Sequence, residues 1–192
     1  MGNKILFVNA CARQISRTKE LAEHLLHCLD GEIAQVDLCH ADFRPMDGIG
    51  LEKRTENINN GNFFCPEFEA ARRFAAADII VIAAPFWDLS FPSVLKIYFE
   101  NITVSGVTFA YTDEGYPVSK CRAKKLYYIT TAGGYIGNNN FGFDYVKALA
   151  ESFFGIKDIS FFSAEGLDIF GADVKSIMDE AKECMTDSFK TE

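Results

Sequence analysis

Short runs of consecutive apolar residues alternate along this chain with longer stretches in which apolar residues recur every three or four positions. The first run, Lys4-Ile5-Leu6-Phe7-Val8, predicts a short buried strand. Over residues 18–29, Leu21, Leu25 and Leu29 fall at four-residue spacing and predict a helix. Residues 32–38 alternate and predict a second, less buried strand. A helix is expected over 66–77. Residues 78–84, Asp78-Ile79-Ile80-Val81-Ile82-Ala83-Ala84, form a continuous apolar and β-branched run, as at the centre of a parallel sheet covered on both faces. Residues 90–101 predict a helix, with Ser90 as its N-cap and Pro92 in its first turn. A small hairpin follows over 107–118, around Asp113-Glu114-Gly115. The remaining elements are a strand at 125–131, a helix at 143–154, a strand at 158–163 and a closing helix at 172–189. Residues 39–65, rich in Asn, Gly and Asp, predict a long loop.

Five strands alternating with helices imply an α/β fold with a parallel sheet between two helical layers. Right-handed crossovers leave few topologies, and at this length the flavodoxin-like three-layer sandwich, strand order 2-1-3-4-5, is expected. With no internal repeat and no low-complexity linker, residues 1–192 are expected to form a single domain.

Composition narrows the function. The 192 residues carry a formal net charge of −8, which disfavours a phosphate-backbone surface, so no nucleic-acid partner is expected. No apolar run approaches the ~20 residues of a membrane span. The six cysteines contain no CxxC pair, so neither a zinc site nor a disulfide framework is indicated. Thiols without a signal peptide suggest a cytoplasmic location. Phe occurs 18 times, which suits an aromatic-lined pocket or simply a Phe-rich core, and the core accounts for most of them.

In an open parallel sheet, ligands bind beyond the carboxyl ends of the strands, where strand order reverses. That rule nominates three loops. The first, residues 9–18, leads into the first helix, whose N-terminal amides suit a phosphate; Ser16 and Thr18 add hydroxyls, and Arg13 and Arg17 add charge. Ser16 serves equally well as an N-cap, although Lys19 stands where a capping box wants Glu or Gln. There is no GxGxxG and no Walker lysine. The second loop, Pro85-Phe86-Trp87-Asp88-Leu89-Ser90-Phe91-Pro92, holds the only tryptophan and suits a flat ring, or equally a packed aromatic connection between strand and helix. The third, Thr130-Thr131-Ala132-Gly133-Gly134-Tyr135, has paired glycines that permit close backbone approach.

Together these loops resemble the FMN-dependent NADH:quinone oxidoreductase and azoreductase family. The resemblance runs from about residue 4 to about 185. It is most specific over Ala84-Pro85-Phe86-Trp87, Gly106-Val107-Thr108-Phe109 and Tyr111-Thr112, and continues through Thr130-Thr131-Ala132-Gly133-Gly134, Phe154-Gly155-Ile156, Phe161 and Ala164-Glu165-Gly166. It implies that Ser16, Arg17 and Thr18 bind the FMN phosphate. By the same likeness Pro85, Phe86, Trp87, Asp88 and Leu89 hold the isoalloxazine ring, with Thr131, Ala132, Gly133 and Gly134 as the second ring-contacting loop. It further implies a homodimer with sites at the subunit interface, and Tyr111 and Phe153 near a small-molecule electron acceptor. The sequence departs from the family in having Phe86-Trp87-Asp88 in place of Met-Tyr-Asn, Ala132 where arginine is frequent, and Ala10 and Cys11 where serine is common. An ionised Asp88 only accepts hydrogen bonds, whereas Asn also donates.

The implied chemistry is ping-pong: NADH or NADPH reduces the flavin, leaves, and is replaced by a quinone, azo or nitro compound. The flavin carries the reaction, so no catalytic side chain is required. The alternative is a flavodoxin-like FMN carrier that does not oxidise NAD(P)H; the hairpin over 107–118 speaks against it. Cys11 is expected to be a packing residue of its loop. His24 and His27, one turn apart, lack a third ligand and are expected on a solvated helix face, as are Asp179, Glu180 and Glu183.

Overall fold

The computed structural model describes residues 2–190. The elements run β1 (Asn3–Asn9), α1 (Arg17–His27), β2 (Gly31–Asp37), α2 (Gly48–Asn59), α3 (Glu69–Ala76), β3 (Ile79–Ala83), α4 (Ser93–Ile102), β4 (Phe109–Tyr111), β5 (Pro117–Ser119), β6 (Lys125–Thr131), α5 (Phe141–Leu149), β7 (Asp158–Ala164) and α6 (Val174–Ser188). Five strands form one sheet in the order β2-β1-β3-β6-β7, with every neighbouring pair parallel. This is the expected 2-1-3-4-5 order, interrupted in the chain only by the antiparallel β4–β5 hairpin.

The central strand β3 owes its place to its composition. Ile80 and Ile82 face one apolar layer, with Phe74, Tyr98, Phe99 and Phe154. Val81 and Ala83 face the other, with Leu21, Leu25, Met178 and Met185. A strand buried on both sides cannot alternate apolar with polar residues, hence the unbroken run. β2 lies at the sheet edge and is mostly exposed, which accounts for its alternation.

Three expectations need correction. Residues 39–65 are not a continuous loop, because they contain α2. This helix has no buried residue, so it lacks the apolar stripe that marks a helix in a sequence. Its N-cap Asp47 accepts from the Gly50 amide at 2.7 Å, and it is held to the body by Ile58, partly buried against the core, and by Arg54, which donates to the carbonyls of Glu100 and Asn101 at 2.7 and 3.0 Å. Those two carbonyls end α4, where a cation is favoured. Second, α4 begins at Ser93, and Ser90 does not cap it. Ser90 is drawn into a tight turn with Trp87, described below. Third, the helix expected at 143–154 is α5 from Phe141, followed by a π-helical turn, Ala150–Phe154. Gly155 ends that turn at φ +66°, and Ser119 leaves no room for a side chain there: a Cβ would sit 2.7 Å from the Ser119 Cβ. Ser119 Oγ also donates to the Phe154 carbonyl at 2.6 Å, so the hairpin is tied to the body at this point. Among the described residues, no helix is long and apolar enough to cross a membrane.

Candidate binding site at the switch point of the sheet

β1 pairs with β2 on one side and β3 on the other, so the connections leave in opposite directions beyond its carboxyl end. There the loops after β1, β3 and β6 converge on a cleft of about 380 Å³. Its walls bring together Ser16, Arg17, Thr18, Pro85, Phe86, Trp87, Thr131, Ala132 and Gly133. A larger space, about 670 Å³, lies under α2 against Phe43, Arg73 and Tyr98, but none of the three loops reaches it.

The first wall is the start of α1. Ser16 has extended backbone and caps the helix, accepting from the Lys19 amide at 3.3 Å. The amides of Arg17 and Thr18, which precede the first intrahelical bond, have no acceptor among the described residues. Thr18 is buried, and its hydroxyl lies 2.6 Å from that of Thr131, joining the first loop to the third. Arg17 pairs with Asp168 at 2.9 Å. Arg13 also lines the cleft and makes no ion pair among the described residues.

The second wall leaves β3 through Pro85. The Phe86 amide donates to the Thr131 carbonyl at 3.0 Å. Trp87 and Ser90 then exchange backbone hydrogen bonds of 3.0 and 2.8 Å. The two residues between them, Asp88 and Leu89, have φ of +50° and +65°. Positive φ at both central positions marks a type I′ turn, for which Asn-Gly is the favoured pair. A leucine there is strained by about 1–3 kcal/mol. Trp87 lines the cleft, whereas Asp88 and Leu89 are exposed and outside its lining. Leu89→Gly is therefore expected to raise stability by about 0.5–1 kcal/mol, read as a higher urea midpoint with unchanged slope.

The third wall is Ala132-Gly133. The Ala132 amide donates to the Ala164 carbonyl at 2.9 Å, whereas those of Gly133 and Gly134 have no acceptor among the described residues. Gly134 is exposed and outside the cleft lining. The loop after β7 buttresses this wall: the Leu167 and Asp168 amides donate to the carbonyls of Ala132 and Gly133 at 3.2 and 2.9 Å. Glu165 clamps it further, accepting from the Ile136 amide and the Ser163 hydroxyl, each at 2.9 Å. Leu167 and Asp168 are thus site residues that inspection of the sequence misses, since they follow a fourth strand end that the switch-point rule does not nominate.

Tyr111 and Phe153 lie elsewhere. Both pack edge-on against Phe109, with centroids 5.2 and 4.9 Å away, and neither lines the cleft. His24 is not simply solvated: its Nε2 lies 3.0 Å from the Thr186 hydroxyl on α6. No group of three metal-ligating side chains occurs among the described residues.

Cys11 packs behind the first loop, buried, with its thiol toward the Ala83 carbonyl. Burial pushes its pKa up to about 11, and a hydrogen bond with Ser16 acts in the opposite direction. The native thiol keeps its proton to higher pH than the unfolded one, so the unfolded state releases protons first. Unfolding free energy should accordingly fall as the pH rises from about 9 towards 11. Iodoacetamide at pH 8 is expected to label the exposed Cys184 well before Cys11, as peptide mass analysis would show.

Residues 3–188 match the model of a family described by its flavodoxin-like fold. An FMN-dependent NADH:quinone oxidoreductase 2 of Clostridium acetobutylicum is 43% identical over 190 residues, covering 92% of each chain. An FMN-dependent NADH:quinone oxidoreductase of Clostridium beijerinckii is 37% identical over 193 residues, covering 93% of this chain and 94% of its own. Among solved structures, an azoreductase from Bacillus anthracis superposes with a TM-score of 0.82 at 23% identity, covering 97% of this chain and 98% of its own. An FMN-dependent NADH-azoreductase from Bacillus anthracis in complex with FMN gives 0.79 at 23% identity, covering 98% of both. These last two likenesses concern the fold. The chain therefore belongs to the flavodoxin-like family that includes the FMN-dependent NADH:quinone oxidoreductases.

Proposed function

We propose that this protein is an FMN-dependent NAD(P)H oxidoreductase that reduces quinones, azo or nitro compounds. One observation carries the proposal: a helix N-terminus with two unclaimed amides and two arginines faces a tryptophan-bearing loop and a glycine loop across one cleft at the switch point. The donor set fits FMN. Arg17, Ser16 and the amides of Arg17 and Thr18 suit the phosphate. Phe86 and Trp87 offer flat apolar surface, and the amides of Gly133 and Gly134 offer donors to the polar edge of a ring. FMN, when bound, supplies the capacity to take a hydride from NADH or NADPH and pass electrons to the acceptor.

In this assignment the chain binds, orients and excludes water. The phosphate end is held by Ser16, Arg17 and Thr18, and the ring by Pro85, Phe86 and Trp87 on one side and by Thr131, Ala132 and the Gly133 and Gly134 amides on the other. Asp88, outside the cleft, contributes through the turn that carries Trp87. Tyr111 and Phe153 belong to an acceptor surface completed in a homodimer. The exposed Trp87, Leu89, Tyr135 and Phe141 support such a dimer, since they place apolar surface on and near the rim of the cleft.

The test is the visible spectrum of the purified protein reconstituted with FMN, before and after NADH under argon. A two-band flavin spectrum that bleaches, followed by reoxidation on adding a quinone, is expected. Bound flavin that NADH does not bleach would instead identify an electron carrier, and failure to take up FMN would refute the cofactor assignment.

A further inference from the structure

Asp168 occupies an unusual position in the cleft. Its amide is fixed to the Gly133 carbonyl at 2.9 Å, which ties its backbone to the ring-facing loop. Its carboxylate reaches across to the other wall, where Oδ1 meets Arg17 Nη1 at 2.9 Å. The carboxylate also lies directly over Gly133, since a Cβ on that glycine would come within 2.5 Å of Oδ2. One acid thus spans from the glycine loop to the start of α1, beside the Arg17 and Thr18 amides that lack acceptors. Among the described residues, no second acid pairs with Arg17 and no second base pairs with Asp168.

We propose that Asp168 is an affinity-setting residue that competes with the ligand's phosphate for Arg17. Resting on the FMN assignment above, the idea is one of exchange. Before a phosphate docks, the carboxylate holds the guanidinium in the cleft and satisfies its charge. A phosphate arriving at the α1 amides takes over Arg17, and Asp168 must give up the pair while staying near a dianion. Both effects oppose phosphate binding. Neither touches a ligand that lacks a phosphate. Asp168 therefore lowers the preference for FMN over riboflavin and keeps the cofactor exchangeable. The pair itself is exposed, its two side chains 44% and 72% accessible, so the effect is bounded by the modest strength of solvated ion pairs.

Asp168→Asn tests this with little structural cost, because the side chain is exposed and Arg17 is its only ion-pair partner among the described residues. The variant is expected to bind FMN about three- to tenfold more tightly, with riboflavin affinity unchanged, as befits the loss of one solvated ion pair and one nearby like charge. Inorganic phosphate, titrated into the flavin-free protein and followed by thermal shift, should stabilise the variant at lower concentration than wild type. Asp168→Glu should restore wild-type behaviour. Unchanged or weaker binding of both FMN and phosphate in Asp168→Asn would overturn the proposal. Equal tightening of FMN and riboflavin would also overturn it, by placing the effect on the glycine loop. Wild type that binds phosphate but no FMN would refute the flavin assignment, and the phosphate titration would still decide the role of Asp168.

Discussion

Arg17→Ala is expected to weaken FMN binding about 10- to 100-fold while leaving riboflavin binding nearly unchanged. The magnitude follows from the loss of a charge-assisted hydrogen bond to phosphate, worth about 1.5–3 kcal/mol. Binding should not vanish, because the amides of Arg17 and Thr18 and the α1 dipole survive the substitution. The fold should survive too, since the Arg17 side chain is half exposed and, among the described residues, pairs only with Asp168. Fluorescence titration with both flavins gives the ratio directly. If the two affinities fell together, the loop would have rearranged. If neither fell, Arg17 would not face the phosphate. The contrast with Asp168→Asn is itself informative, because removing the two partners of one ion pair should move FMN affinity in opposite directions. A pair that served only stability would show no such opposition.

The largest effect on stability is expected at Phe74, in α3. Phe74→Ala should cost about 3–5 kcal/mol, which for a chain of this size lowers Tm by about 6–20 °C. Phe74 is 0% exposed, and its ring centroid lies 4.6 Å from that of Phe154. The two rings join α3 to the π-helical turn after α5, two elements that approach from distant parts of the sequence. A cavity left there cannot close without moving one of them. The same turn receives the hydroxyl of Ser119, so the seam also supports the hairpin that carries Tyr111. Chemical denaturation read by circular dichroism checks the value. A loss below about 1 kcal/mol would mean that this seam collapses freely and does not anchor the hairpin.

Much of this architecture is legible in the chain itself. β3 is visible because a doubly covered strand must be apolar throughout, and α1 because its buried face repeats at helical spacing. Strand order follows, since parallel strands with right-handed crossovers admit few alternatives. From that order the switch point follows, and with it Ser16, Arg17, Thr18, Pro85, Phe86, Trp87, Thr131, Ala132 and Gly133, which do meet in one cleft. Local composition at strand ends is enough here because the sheet fixes where those ends must be.

Elsewhere tertiary structure decided what local pattern left open. α2 escapes detection because polar bonds to α4 and the partly buried Ile58 hold it, and a helix with no buried residue carries no periodic apolar signal. Ser90 looks like an N-cap but serves a turn, because two successive positive-φ residues between Trp87 and Ser90 delay the helix by three positions. Asp88 and Leu89 sit in a loop that lines the cleft yet are exposed and outside its lining, a consequence of turn geometry that composition does not express. Asp168 is 151 residues from Arg17 in sequence, and nothing short of the folded sheet brings them within 2.9 Å. Period and composition record which residues must be buried and where strands end. Polar pairings between loops depend on distances that exist only once those strands have assembled.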